Sequence, residues 1–329
     1  MAVLVTGGTG VIGSHVLREL IEAGEHPVVF ANVIDKSLIS DIADRVKMVQ
    51  GDILDLPQVY SVFKKYKIRA VVHLAGLMMR ASQHNPPLAL DVNVKGTVHL
   101  LEAARFFEID RFVFSCSKGI YGERDALVRN HGTLIVTEEH LPNPQNVYDA
   151  TKYAAELLGR NYERNYGITF LSLRFGSIYG PGKLVRHGPM AVTSRMIENA
   201  LCGIPTVVQN PPDARDDMIY VKDAAHGVVC ALLARQPKSR VFNIGTGIGI
   251  TLRDFAEVTK QVLPHAEIAF AESDEKMPAY HFVFDIARSR EELGYAPRYG
   301  LKEGIEDYIA FMQRFGIEPT PSPPSASAI

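Results

Sequence analysis

Two hydrophobic rhythms alternate along the first half of the chain. Residues 3–5 are a short apolar run bounded by glycine, which predicts a buried parallel strand. Val11, Ile12, Val16, Leu17 and Leu20 then recur at helical spacing. Further apolar runs at 28–30, 47–49, 70–74 and 111–114 predict more strands. Helical stretches separate them, including one over 92–107. Strand and helix in alternation predict an α/β fold, a parallel sheet wrapped by helices. Ligands of such sheets sit at the carboxyl ends of the strands.

Those strand ends carry the first candidate chemistry. Gly7, Gly10 and Gly13 stand between the first strand and the first helix. The first glycine allows a sharp turn, the second a close backbone approach to pyrophosphate, and the third close packing of helix on sheet. The helix start, with Val11 and Ile12, offers N–H groups and partial positive charge to phosphates. A dinucleotide is the expected ligand. A carboxylate about 20 residues beyond the glycines would bind ribose hydroxyls and favour NAD. That region holds Asn32 and Asp35, with Lys36 next to them. Asp35 serves NAD if the second strand runs long; otherwise Lys36 can admit a 2′-phosphate, so NADP stays open. Asp52 and Ile53 follow the third strand, where Asp52 can accept from the adenine amino group or simply cap a turn. Leu74, Ala75 and Gly76 end the fourth strand, where small residues permit close approach.

Composition narrows the class. The 329 residues are 47% hydrophobic and 22% charged, which suits a large globular core and about two domains. A net charge of -2 gives no basic surface for nucleic acid. Cys116, Cys202 and Cys230 are odd in number and far apart, so neither a disulfide framework nor a metal site is expected. No apolar run reaches the roughly 18 residues a membrane helix needs, and the N-terminus enters a strand at once. A cytoplasmic location is therefore expected, with no membrane partner. The Pro/Ser/Ala-rich end, 316–329, is expected to be disordered.

A catalytic group is suggested further on. The fifth strand ends in Ser115-Cys116-Ser117, and Tyr148 and Lys152 follow some thirty residues later. Tyr and Lys four apart share a helix face. Tyrosine is a poor base near its usual pKa of about 10. An adjacent ammonium and a cationic nicotinamide favour the phenolate. Lys152 can also donate to the cofactor ribose, while Ser117 holds the substrate oxygen.

With these motifs the chain resembles the extended short-chain dehydrogenase/reductase superfamily, in its NAD-dependent epimerase/dehydratase branch. The resemblance spans nearly everything up to about residue 315. It is carried by Thr6-Gly7-Gly8-Thr9-Gly10-Val11-Ile12-Gly13, His73-Leu74-Ala75-Gly76, Asn93-Val94-Lys95-Gly96-Thr97, Ser117, Tyr148 with Lys152, Tyr179-Gly180-Pro181-Gly182 and Phe242-Asn243-Ile244-Gly245. It implies a Rossmann-type doubly wound parallel sheet with a smaller C-terminal α/β substrate-binding domain. The expected division is 1–175 with a return segment at about 216–245 for NAD(P), and 176–215 with 246–315 for substrate. It also implies a Ser-Tyr-Lys site, Asn93 among the cofactor residues, and a homodimer formed through helices at roughly 88–107 and 148–166.

Departures from the family bear on the substrate. Many members act on nucleotide-diphosphate sugars and carry Asn where this chain has Ser177. They grip the diphosphate with an Arg at a place aligned here with Glu275, and a carboxylate there would repel it. Arg215 matches the remaining anion-binding Arg. Dehydratases place Asp-Glu after the catalytic hydroxyl residue, whereas Lys118-Gly119 stands here. Arg186 or His187 could meet the substrate, with a solvated loop weighed equally.

Three functions compete on this reading. The first is an NAD(P)-dependent oxidoreductase moving hydride at a secondary alcohol or ketone of a polar small molecule. The second is a sugar or nucleotide-sugar epimerase, resembling UDP-glucose 4-epimerase, with transient oxidation by bound NAD. The third is a non-catalytic dinucleotide sensor.

Overall fold

The computed structural model describes residues 1–122, 134–184, 191–271 and 282–321. Arg186, His187, Glu275 and most of the C-terminal tail lie outside these residues.

Seven strands form the main sheet: β1 (Ala2–Thr6), β2 (His26–Ala31), β3 (Lys47–Gln50), β4 (Ala70–His73), β5 (Arg111–Ser117), β7 (Thr169–Phe175) and β11 (Val241–Ile244). Their order is β11-β7-β5-β4-β1-β2-β3, and every pairing is parallel. This is the Rossmann-type doubly wound order, with its switch between β1 and β4. The central strands are apolar on both faces because helices cover both. Val3, Leu4, Val5, Val71, Val72, Phe112 and Val113 are all fully buried. Each apolar run expected from sequence lies within or overlaps one of these strands. β5 is longer than its apolar core and carries Ser115 and Ser117 at its carboxyl end; the short strand β6 (Leu134–Val136) lies outside this sheet.

Helices α1 (Val11–Glu22), α2 (Leu56–Tyr66), α3 (Met79–His84), α4 (Pro86–Ala89), α5 (Gly96–Phe106) and α6 (Val147–Tyr166) supply most of the Rossmann layers. A π-helical turn, Leu90–Lys95, joins α4 to α5. The helix expected over 92–107 is thus the second part of a longer interrupted helix. Such turns carry side chains off the regular face. Here Asn93 is carried inward to bond both Leu77 and Thr151.

The chain leaves the main sheet at Gly176. β8 (Ser177–Tyr179) pairs instead with β10 (Asp216–Tyr220). Between them run α7 (Val192–Leu201) and β9 (Thr206–Val208), and after β10 the chain returns through α8 (Val221–Leu233) to β11. α9 (Leu252–Val262) and α11 (Leu301–Phe315) complete this second region, after α10 (Ala287–Leu293) in the case of α11. A second apolar cluster is centred there on Met196, Phe255, Ile305, Tyr308 and Met312. Tyr179 and Tyr220, from β8 and β10, belong to it. Two clusters place the cleft described below where the sheet's carboxyl edge meets the second cluster.

Candidate active site

The β1–α1 turn forms one wall of a cleft of about 1150 Å³. Gly7 has φ +69°, the left-handed region that suits glycine. A side chain on Gly13 would place its first carbon 2.3 Å from Gly7 O, so only glycine lets α1 start this close to the turn. Gly10 caps α1 without a side chain, which leaves the helix's first N–H groups facing the cleft.

A proton-ordered chain fixes the neighbouring strand ends. Burial pulls His73 down to about 3, so its ring is neutral. Thr97 Oγ1 donates to Asn93 O, and therefore accepts from His73 Nε2 at 3.0 Å. His73 Nδ1 is then the acceptor for Thr6 Oγ1 at 2.6 Å, and Thr6 Oγ1 accepts from Ala75 N. This chain locks β4 and the Leu74-Ala75-Gly76 segment against β1. The sequence shows His73 only as part of a motif; its buried bonds to threonines on two other elements are not visible there.

The other wall comes from β5 and α6. Asn146 caps α6, accepting from Asp149 N and donating to the Asp149 carboxylate. Ser117 Oγ accepts from Gly119 N at 3.0 Å and reaches Asp149 Oδ1 at 3.5 Å. Tyr148 and Lys152 lie one turn apart and both line the cleft with Ser117. Lys152 Nζ is 3.4 Å from Ser115 Oγ and 4.4 Å from the Phe114 ring centroid, a cation–π contact. Burial draws its ammonium down to about 8. Burial also pushes the Tyr148 phenol above its usual value, with Asp149 and Cys116 adding to the effect. On the chain's own groups the phenol therefore keeps its proton at neutral pH.

Of the residues expected to bind cofactor, Gly7, Gly10, Val11, Ile12, Gly13, Asn32, Asp35, Leu74, Ala75, Gly76, Tyr148 and Lys152 line this one cleft. Three lie elsewhere. Asp52 Oδ1 accepts from Leu54 N, as a turn cap does. Ile53 is buried against Gly96. Asn93 braces the segment after Gly76 from behind, through Leu77 and Thr151. Among the expected substrate residues, Ser117 and Ser177 line the cleft. Arg215 does not; its guanidinium donates to Gly249 O. The next residue, Asp216, takes the cleft position, paired with Lys118 and accepting from Ser177 Oγ at 2.6 Å. Lys183 and Asn210 line the cleft as well. Both belong to the stretch 182–213, whose Pro, Met and Val content suggests a pocket wall, although no motif marks either residue.

Lys118-Gly119 has a structural reason. A side chain on Gly119 would begin 2.0 Å from Asp149 Oδ1. A glutamate at 119 would therefore have to push the buried Asp149 carboxylate aside and set a second negative charge beside it. Among the described residues, no three His, Cys, Asp or Glu side chains are placed to hold a metal ion, and no helix is long and apolar enough to cross a membrane.

The profile of the NAD-dependent epimerase/dehydratase family matches residues 3–245. The chain is 31% identical over 313 residues to a putative UDP-glucose 4-epimerase of Methanocaldococcus jannaschii, spanning 94% of this chain and 98% of the relative. Among solved structures, UDP-glucose 4-epimerase from Thermotoga maritima with UDP-glucose superposes with a TM-score of 0.85 at 27% identity, over 95% of this chain and 99% of its own. UDP-glucuronic acid 4-epimerase from Bacillus cereus, in complex with UDP-glucuronic acid and NAD, gives a TM-score of 0.80 at 26% identity, over 95% and 99%. The chain belongs to the NAD-dependent epimerase/dehydratase family.

Proposed function

We propose that this protein is an NAD-dependent epimerase of a nucleotide sugar, acting at a ring secondary alcohol. The observation that carries the proposal is the convergence of Ser117, Tyr148 and Lys152 on the cleft that the glycine turn opens into. The three relatives named above are given as 4-epimerases of UDP sugars, which ranks this reading above the net oxidoreductase placed first from sequence. The steric conflict between Asp149 and any side chain at 119 counts against a dehydratase acid pair.

The chain's residues fit the cofactor. The Gly7–Gly13 cradle, closed to larger residues, accepts the pyrophosphate at the α1 start. Asp35 lines the cleft and Lys36 does not, which favours ribose hydroxyls over a 2′-phosphate and hence NAD over NADP. When bound, nicotinamide supplies reversible hydride chemistry at the alcohol carbon. Lys152 holds the ribose and, with the positive charge of the oxidised ring, brings the Tyr148 phenol down from the raised value that burial alone gives it. Tyr148 removes the proton of the substrate hydroxyl and returns it after the sugar has presented its other face. Ser117, held by the Gly119 N–H that its Oγ accepts, turns its one hydroxyl proton from Asp149 Oδ1 to the same oxygen.

The test is an NMR time course of UDP-glucose with the protein and NAD, recorded beside nicotinamide absorbance. Interconversion with the 4-epimer without net reduced cofactor is expected. Accumulation of reduced cofactor would instead restore the net dehydrogenase. The sensor reading requires binding of NAD with no turnover at all.

The protein is also proposed to act as a homodimer. Leu90 and Leu157, on the two helical segments expected to pair, are 56% and 45% exposed. Tyr153 and Tyr162, on the second of these segments, pack against the chain's own core. Sedimentation should give a dimer, and Leu157→Glu should yield monomers; a monomeric wild type would refute the pairing.

A further inference from the structure

A second pocket, of about 410 Å³, lies at the end of α1 away from the glycine turn, and none of its lining residues lines the cleft. Glu19 and Glu22 of α1, His226 and Cys230 of α8, and Arg298 from the segment before α11 line it. His226 and Cys230 stand four apart on one helix face. Cys230 Sγ lies 3.4 Å from His226 Nε2, and Glu19 Oε2 lies 3.2 Å from His226 Nδ1. Thiol, imidazole and carboxylate thus follow one another, in the order of a nucleophile, its base and the group that orients the base. Hydrogen bonds to Cys230 and Glu19 raise His226 to about 9, against the burial that opposes its charge. Arg298 Nη2 also meets the ring, 3.1 Å from Nε2, and its charge opposes a charged ring. Glu19 bonds both, with Oε1 3.3 Å from Arg298 Nη1. Asp223 accepts from the Arg298 backbone N–H and adds negative charge near the ring. Cys116 is buried and Cys202 exposed, whereas Cys230 is partly exposed and faces His226.

We infer that Cys230 is a site of thiol–disulfide exchange, a sulfur activated by His226 and open through this pocket to low-molecular-weight disulfides. The inference is independent of the epimerase reading. A thiolate is the reacting form, and an adjacent cation favours it. In the reacting pair the thiol's proton resides on His226, and Glu19 holds the imidazolium. The thiolate attacks one sulfur of the disulfide. A bond forms between Cys230 Sγ and that sulfur as the reagent's own S–S bond breaks. The departing thiolate takes the proton from His226 and leaves as a free thiol. Cys230 is thereby oxidised to a mixed disulfide while the departing half is reduced, and a second thiol reverses the step. None of the residues lining the pocket lies on the helical segments proposed to pair between copies.

The competing account makes Glu19, His226 and Arg298 a fastening of α1 to α8, with Cys230 as filler beside it. Oxidised glutathione, added to the full chain at pH 7, separates the two. Peptide mass spectrometry follows the adduct at each cysteine with time. Cys230 is expected to react at least about tenfold faster than the more exposed Cys202, the scale of one favourable charge on the thiolate population. Dithiothreitol should remove the adduct. His226→Asn should slow Cys230 about tenfold at pH 7 and leave Cys202 unchanged. That deficit should shrink as the pH rises towards 9, where the wild-type ring loses its own charge. A mere fastening gives the opposite sign, because a loosened pocket exposes the sulfur and speeds its reaction. Glu19→Gln keeps the shape of its side chain and should also slow Cys230; it serves if the first variant does not fold, as circular dichroism reports. Reaction at Cys230 no faster than at Cys202 in the wild type, which needs no variant, would overturn the site. So would a rate at Cys230 that is unchanged or raised in a folded variant.

Discussion

Tyr148→Phe is expected to lower kcat by about 10²–10⁴-fold, the range of a positioned acid/base, with NAD affinity retained. The phenol lies on the cleft wall with Ser117 and, on the proposed mechanism, takes a proton once Lys152 and a cationic ring favour its ionised form. Phenylalanine keeps the ring and its packing and removes only the hydroxyl. Substrate binding should change little, because a hydroxyl that acts chiefly in the transition state lowers kcat and kcat/KM together. Single-turnover absorbance should show the same defect, which separates slow chemistry from slow product release. Lys152→Met should differ: on the proposed mechanism it removes both a ribose contact and the charge, so kcat falls and NAD binding weakens. A Tyr148→Phe enzyme with turnover within threefold of wild type would remove Tyr148 from the mechanism and pass the proton to another group on that wall.

The architecture was open to reading from sequence because parallel strands buried on both faces must be continuous apolar runs, as at 3–5 and 70–74. The glycine turn was equally open, since Gly13 tolerates no side chain beside Gly7 O. Tyr148 and Lys152 declared themselves by spacing on one helix. The substrate half did not. Successive residues of an extended segment point to opposite sides. Arg215 therefore turns to Gly249, Asp216 enters the cleft, and Asp217 is buried under Thr246 and Gly247. A difference of one residue there exchanges a cation for a carboxylate, and no periodicity fixes it. Lys118, Lys183 and Ser177 come from three separate stretches of chain, and only folding brings them to Asp216. The choice between net oxidation and epimerisation was also beyond the motifs, because both use Ser, Tyr and Lys alike. It depends on whether the oxidised sugar can turn over in the cleft before it leaves.

Glu156→Ala is expected to cost about 3–5 kcal/mol of stability, the range for leaving one partner of a buried ion pair alone. Glu156 and Arg174 are 0% and 3% exposed. Arg174 reaches both carboxylate oxygens, at 2.5 and 3.1 Å, and Ser172 Oγ adds a third bond at 2.7 Å. Burial opposes the guanidinium's charge, yet the bonds and charge of Glu156 outweigh it and hold Arg174 above its ordinary value. Arg174 also donates to the Tyr121 hydroxyl, which donates to Asn243 on β11. The network thus ties α6 to β7 and β11, and Cys116 of β5 lies opposite Arg174 in the sheet. Glu156 lies one turn beyond Lys152 on α6, so the network anchors the helix that carries Tyr148 and Lys152. Removing the carboxylate leaves a buried guanidinium with Tyr121 and Glu138 O as its remaining acceptors. Urea unfolding should show the loss as a lower midpoint with an unchanged slope. Glu156→Leu combined with Arg174→Met removes both charges and should recover much of that loss, because the uncompensated ion, rather than the missing attraction, dominates the cost. A single variant within about 1 kcal/mol of wild type would refute the network's role, since surface pairs reach that value unaided. A double variant less stable than the single would show instead that the polar bonds to Tyr121 and Ser172 carry the stability, and that the charge is secondary.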